Sequence, residues 1–464
     1  MREGWAEGAA ARWWVTRRIR SGSGVLLVCA LFGAVPVHAQ ATNPRPYRLQ
    51  VPPARPLSAM AQLGKRLFND ARLSGSGRIS CVSCHSPAHA FGPPGVSAIV
   101  LGGADDRSPG FRAVPSLRYL YRQPPFSIGP DTSADSDQRL TVGQQAARAG
   151  DKVRAVKTAL APQAAAANLV PQGGLFWDGR VNTLQQQAGG PLFNPAEMAA
   201  GSPSRVLTKL ETNYGEEFKA FFGPTVFQSP RLALDEAMFA IGRYEIESVE
   251  FHPFRSKYDA WLAGHAELTP AESRGYRLFN DPDKGNCAAC HLDQPTRDGR
   301  PPLFTDFQYE ALGVPRNPAI PANRDSHYYD LGVCGPYRTD LRAQTQYCGM
   351  FLTPSLRNVA TRHVFFHNGV FHSLHDVLEW YVYRDLAPER FYSRDESGHV
   401  VKYDDLPPEY RRNVDTVDGP FNRHPGDPPS LSDAEIEDVI AFLDTLTDED
   451  DHASPLRTDA RMSR

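Results

Sequence analysis

Two short stretches hold residues whose types and spacing fit one chemistry: CVSCH at 81–85 and CAACH at 287–291. In each, two thiols stand three positions apart, with a histidine directly after the second. Thiols at that spacing bond to the two vinyl groups of one haem, and the adjoining imidazole then meets the iron from one side. Cys81, Cys84 and His85 are therefore assigned to one haem c, and Cys287, Cys290 and His291 to another. A four-cysteine zinc site is the competing use of these thiols. It gives no reason for a histidine after each pair, nor for the LFND sequence ahead of both. One haem suffices to carry an electron, so the second needs explaining.

The far side of each iron decides between carrying electrons and reacting with peroxide or dioxygen. No histidine occurs between His89 and His252, and the methionines between the first motif and His252 are Met198 and Met238. His89 stands too near His85 to reach the opposite haem face, and Met198 reads as a core or loop residue. The first iron is expected to be five-coordinate and open. After His291 the methionines are Met350, read as packing, and Met462 in the tail. A cluster follows in FFHNGVFHSLHDVLEWYVYRD, with His367, His372, His375, Tyr381 and Tyr383. The two tyrosines point to nearly opposite faces of a helix, so at most one reaches the iron. The residues alone leave that choice open.

An internal repeat supplies the elements that position these groups. LGKRLFNDARLSGSGRISCVSCH parallels GYRLFNDPDKGNCAACH, and each half closes with a helical stretch, LDEAMFAIGRYEIESV from Leu234 and LSDAEIEDVIAFLDTLTD from Leu431. Ser432 with Glu435 forms a capping box, and Ile436, Val439, Ile440, Phe442 and Leu443 share one apolar face. The expected fold class is all-α and loop-rich: two tandem cytochrome c-like domains, each closed by a terminal helix crossing an N-terminal one. The first spans 58–250 with a Pro- and Ala-rich insertion at 120–172, and the second spans 262–450. A linker (40–57) precedes them and a disordered tail (451–464) follows.

Residues 1–39, with RRIR, an apolar run and a small-residue cleavage site, read as a signal peptide, which makes the protein periplasmic rather than membrane-embedded. A net charge of -3 gives no footing for nucleic acid. In an oxidising compartment Cys334 and Cys348 are expected to pair, which on the chain-entropy model contributes about 3 kcal/mol.

The motifs resemble the bacterial di-haem cytochrome c peroxidases, and within them the MauG-like branch. The resemblance covers residues 58–447 and rests on LGKRLFND…SCVSCH, FWDGRVNTLQQQAGGPLFNPAEM, TPSLRNVA and FFHNGVFHSLHDVLEWY. It implies a peroxide-reactive haem in the first domain and an electron-storing haem in the second. It also implies Trp177 as a relay between them, Gln187 and Pro191 over the reactive face, and Glu197 as the distal acid. With no distal histidine, Glu197 is the carboxylate of that loop suited to moving the proton that peroxide cleavage requires. Fourteen residues after His367, Tyr381 falls where the MauG branch has a tyrosine ligand to the second iron. A bis-Fe(IV) state shared through Trp177 follows from the same resemblance.

Two departures stand out. The displaceable distal histidine of the peroxidase branch has no counterpart in LGGADDRSPGFRAVPSL, so activation by prior reduction is not needed. The resemblance implies one interdomain calcium ion, yet Ala113 stands where the family has an asparagine ligand, and His363 replaces a proline whose carbonyl contributes. The expected activity is reduction of hydrogen peroxide, with electrons from a small redox protein such as a cytochrome c or cupredoxin. The alternative is a maturation enzyme oxidising Trp or Tyr side chains of a partner protein. A non-catalytic electron-transfer cytochrome fits less well, because the first iron lacks a sixth ligand.

Overall fold

The computed structural model describes residues 42–130 and 169–449. The expected signal peptide and tail lie outside these residues, as does most of the expected insertion.

In chain order the helices are α1 (Ala59–Asn69), α2 (Cys81–Cys84), α3 (Leu184–Phe193), α4 (Pro203–Phe222), α5 (Pro230–Glu247), α6 (Lys257–Leu262), α7 (Pro270–Asn280), α8 (Leu374–Tyr383) and α9 (Asp433–Asp444). Ser58 starts α1, its hydroxyl accepting from the Ala61 N–H, and the helix buries Leu63, Leu67 and Phe68 along one face. That face meets α5, and the two helices cross at Gly64, where a Cβ would sit 1.8 Å from the Ala240 carbonyl oxygen. The second half repeats the device. Helix α9 starts at the expected Ser432–Glu435 capping box, and α7 crosses it at Gly275, where a Cβ would sit 1.8 Å from the Asp438 carbonyl oxygen. Only glycine admits either approach.

Two hydrophobic cores result. One gathers residues from Leu63 to Phe251 and the other from Tyr258 to Leu446. The division falls between Phe251 and Tyr258, so α6 packs with the second core, a few residues ahead of the expected start at 262. The stretch expected as a linker is instead a strap along that core: Asn43 Nδ2 and the Tyr47 N–H donate to the Leu262 carbonyl at 3.1 and 2.8 Å.

The all-α expectation needs one qualification. Among the described residues, three two-stranded antiparallel ladders are present: Leu101–Gly102 with Ser108–Pro109, Ser127–Pro130 with Leu169–Gln172, and Tyr309–Glu310 with Phe351–Leu352. They clip loops together rather than form a layer. Cys334 and Cys348 are bonded, and the bridge anchors a small cluster with Tyr309, Val333 and Tyr347 against which Met350 packs.

A second repeat emerges in three dimensions. Leu175 pairs with Val181 and Phe365 with Phe371 around two alike turns. Phe176 and Phe366 have φ of 66° and 63°, and Gly179 and Gly369 share φ of 64°. Thr183 then caps α3 and Ser373 caps α8. Trp177 and His367 thus occupy the same place in their turns, and Pro191 and Tyr381 each follow fourteen positions later.

Candidate active site

Each CxxCH motif borders its own cavity. Cys81, Cys84 and His85 line one of about 130 Å³, and Cys287, Cys290 and His291 line one of about 220 Å³. His85 Nδ1 lies 3.0 Å from the Phe91 carbonyl and His291 Nδ1 lies 2.9 Å from the Phe304 carbonyl. A carbonyl only accepts, so Nδ1 carries the proton and each Nε2 keeps its lone pair for a metal. Burial pushes both imidazoles down to about 4, which keeps them neutral. It also pushes the Cys81 thiol up to about 12 and Cys84 to about 11. Paired thiols and an oriented neutral imidazole beside an apolar cavity are a donor set that fits haem c.

The cavities differ at one register position. Tyr381 borders the second, packed between Phe366 and Phe421 at ring separations of 6.0 and 5.2 Å. Pro191, its counterpart, borders the first and offers no donor atom. Of the other candidates for the second iron, His367 borders the cavity, but its ring is stacked on Phe351 at 3.5 Å. Met350, His372, His375 and Tyr383 are not among the residues lining it. In the first half, Met198 is buried in the core and touches the cavity wall, while His89 is turned to the Ser86 hydroxyl.

Gln187 and Glu197 border the first cavity with Pro191. Burial raises the Glu197 pKa above the ordinary carboxylate value, while Arg180 and a hydrogen bond from Asn194 Nδ2 pull it back. Three further residues there were not singled out from the sequence. Arg180 stacks on Phe176 at 3.6 Å and pairs with Asp178 at 2.9 Å. Tyr337, from the disulfide loop, borders the cavity with the Arg112 and Arg180 guanidiniums 5.0 and 5.2 Å from its ring centroid. Glu245 on α5 is buried, its Oε2 without a hydrogen-bond partner, and burial pushes it up to about 8. Its signal was legible, since it continues the row of Met238 and Ile241.

Trp177 borders both cavities. Its Nε1–H donates to the Ala113 carbonyl at 2.9 Å, and the Ala113 N–H donates to the His367 carbonyl at 2.7 Å. The turn is clamped on its other side. Arg112 bridges Asp178 at 2.8 Å and Asp330 at 2.6 Å, and Arg338 of the disulfide loop donates to the carbonyls of Asp178 and Gly179 at 3.1 and 2.9 Å.

Where the resemblance implied a calcium ion, Ala113 supplies no side-chain oxygen to hold one. The Ala113 carbonyl is taken by Trp177, and the His363 carbonyl accepts from His372 Nδ1 at 3.1 Å. Arg362, one residue before His363, extends a guanidinium to the Val114 carbonyl. Among the described residues, no group of three or more His, Cys, Asp or Glu is arranged to hold a metal ion.

A family model described as di-haem cytochrome c peroxidase matches residues 58–267. The methylamine utilization protein MauG of Paracoccus denitrificans is 31% identical over 422 residues, 89% of this chain and 94% of that protein. Cytochrome c551 peroxidase of Nitrosomonas europaea is 28% identical over 357 residues, 74% of this chain and 78% of the relative. The crystal structure of the diheme peroxidase BthA from Burkholderia thailandensis matches with a TM-score of 0.70 at 36% identity, covering 88% of this chain and 93% of that one.

Proposed function

The chain belongs to the di-haem cytochrome c peroxidase family, and from that premise we propose that it is a periplasmic enzyme reducing hydrogen peroxide at an open first haem c, with electrons drawn through a second. In this reading Cys81, Cys84 and His85 hold the reactive haem in a domain of residues 58–250. Cys287, Cys290, His291 and Tyr381 hold the other in a domain of residues 262–450, and residues 1–39 direct export.

The observation that carries the reading is the register difference: the second cavity presents a phenol where the first presents a proline. When bound, the haems supply an iron that takes peroxide and storage for oxidising equivalents. Two electrons and two protons convert one peroxide to two waters, which gives a reason for two redox centres in one chain. The protein's part is to move protons and electrons. Glu197 takes a proton from one peroxide oxygen and returns it to the other, which leaves as water. The Gln187 amide offers hydrogen bonds that orient the substrate. Arg180 pulls the Glu197 pKa back toward the ordinary carboxylate value, against the larger effect of burial. Pro191 packs over the site without supplying a ligand. The clamped indole of Trp177, on the border of both cavities, provides the path for the electron.

The experiment that tests this is peroxide turnover by the holoprotein with a reduced cytochrome c or cupredoxin as donor. The reading expects two donor equivalents oxidised per peroxide, and consumption without donor oxidation would contradict it. Tyr381 also fits a second reading, a MauG-like enzyme that oxidises Trp or Tyr of a partner protein. Donor-independent peroxide use coupled to modification of a partner's side chains would favour it.

A further inference from the structure

Arg362 has no part in the chemistry above, yet its guanidinium stands where the two sites meet. Nη2 donates to the Val114 carbonyl at 3.1 Å and to the Val364 carbonyl at 3.4 Å, and Nε reaches the same Val364 oxygen at 3.4 Å. Val114 adjoins Ala113, which holds the Trp177 indole. Arg362 lines the second cavity, and Val114, whose carbonyl it holds, lines the first.

Arg362 pairs with no acid among the described residues, a condition it shares with Arg122, which donates to the Pro301 carbonyl. Arginines with almost fully buried side chains are matched by acids: Arg112 by Asp178 and Asp330, Arg357 by Asp259, Arg384 by Asp385. Arg362 is met by two backbone carbonyls alone. Burial lowers its pKa to about 10, so it stays charged at neutral pH. A partly buried cation with no acid partner is favoured by an anionic counterpart. A haem brings two propionate carboxylates, and each iron gains a negative charge on reduction. The expected calcium ligands around Arg362 are already bonded to protein donors.

We propose that Arg362 is the built-in cation of the junction between the two haem sites, standing in for a divalent metal ion and raising the reduction potential of both haems. It is a positioning residue that acts through charge. The proposal rests on the di-haem reading and names how that reading's two sites are electrostatically joined. It also accounts for an asparagine ligand being dispensable at Ala113.

The test is an optical redox titration of the holoprotein after dialysis against EGTA, then with calcium restored, for the wild type, Arg362→Gln and Arg362→Lys. In the wild type both midpoints are expected to be the same in EGTA and in calcium. Arg362→Gln lowers both, by about tenfold in each reduction equilibrium, as expected for one charge lost near a partly buried centre. Arg362→Lys stays within about threefold of wild type. Coincident midpoints for wild type and Arg362→Gln would overturn the proposal. So would a fall in the wild-type midpoints in EGTA, a result that stands even where the Gln variant does not load haem. Pyridine haemochrome analysis separates the two failures: fewer than two haems in the wild type would refute the di-haem reading itself.

Discussion

Replacing Glu197 by Gln removes a base and leaves nearly everything else in place. Asn194 Nδ2 donates to Glu197 Oε1, and a glutamine oxygen accepts the same bond, so the loop keeps its geometry. What is lost is the capacity to take a proton from bound peroxide. A positioned acid–base group contributes about 10²–10⁴ in rate, or about 3–5 kcal/mol of barrier, and no other carboxylate beside the substrate-facing loop is placed to substitute. Glu245 also borders the cavity, but burial pushes it up to about 8, so it is largely protonated at neutral pH and a poor base there. The pH dependence follows from the sign of the shift at Glu197. Burial raises its pKa, so the wild-type rate rises with pH through a value above the ordinary carboxylate range and then levels. The Gln variant lacks that limb. Stopped-flow mixing of holoprotein with peroxide across pH 4–8 reads both effects. A Glu197→Gln rate within threefold of wild type, with the acid limb intact, would refute the role.

Other outcomes follow from the same geometry. Pro191→His places an imidazole at the register position Tyr381 holds in the second half; a low-spin first haem by EPR and a hundredfold or greater loss of peroxide reactivity are expected. Tyr381→Met exchanges an anionic oxygen ligand for a thioether, so the second haem's midpoint rises, read by spectroelectrochemistry; an unchanged midpoint would exclude Tyr381 as ligand. Glu245, pushed from 4.5 to about 8, binds its proton more tightly folded than unfolded. Its contribution to stability is therefore fully present below about 4.5 and lost as pH rises to 8, at most about 4–5 kcal/mol. Thermal melts of Glu245→Gln should accordingly exceed wild type at pH 9 and converge with it near pH 5.

The two CxxCH motifs were readable because their residues stand within five positions of one another. The terminal helices were readable from apolar periodicity and a capping box, and the Cys334–Cys348 bridge from compartment and count. Which side chain of the crowded histidine and tyrosine segment faces the second cavity was not; only the turn shared by Phe176–Gly179 and Phe366–Gly369 brings Tyr381 into register with Pro191. That repeat is faint in letters because it is held by backbone conformation, with the Phe and Gly of the turn and the first helical residue, Leu184 and Leu374, in common. Tyr337 and Arg362 reach the junction from segments remote in sequence, where no local pattern announces them. The ladders escaped because strands of two to four residues are too short for alternation to register, and the N-terminal strap because its bonds are made mostly by backbone, with the Asn43 amide and the Tyr47 hydroxyl.

The central claim is that one iron is open, the other closed, and Trp177 joins them. One equivalent of hydrogen peroxide added to the as-isolated diferric protein, followed by optical and Mössbauer spectra, tests it most directly. Rapid oxidation of both haems beyond the ferric state, slowed in Trp177→Phe at the second haem alone, is the predicted result. No reaction until one haem has first been reduced would mean that a side chain such as Met198 closes the first iron, and would contradict the account.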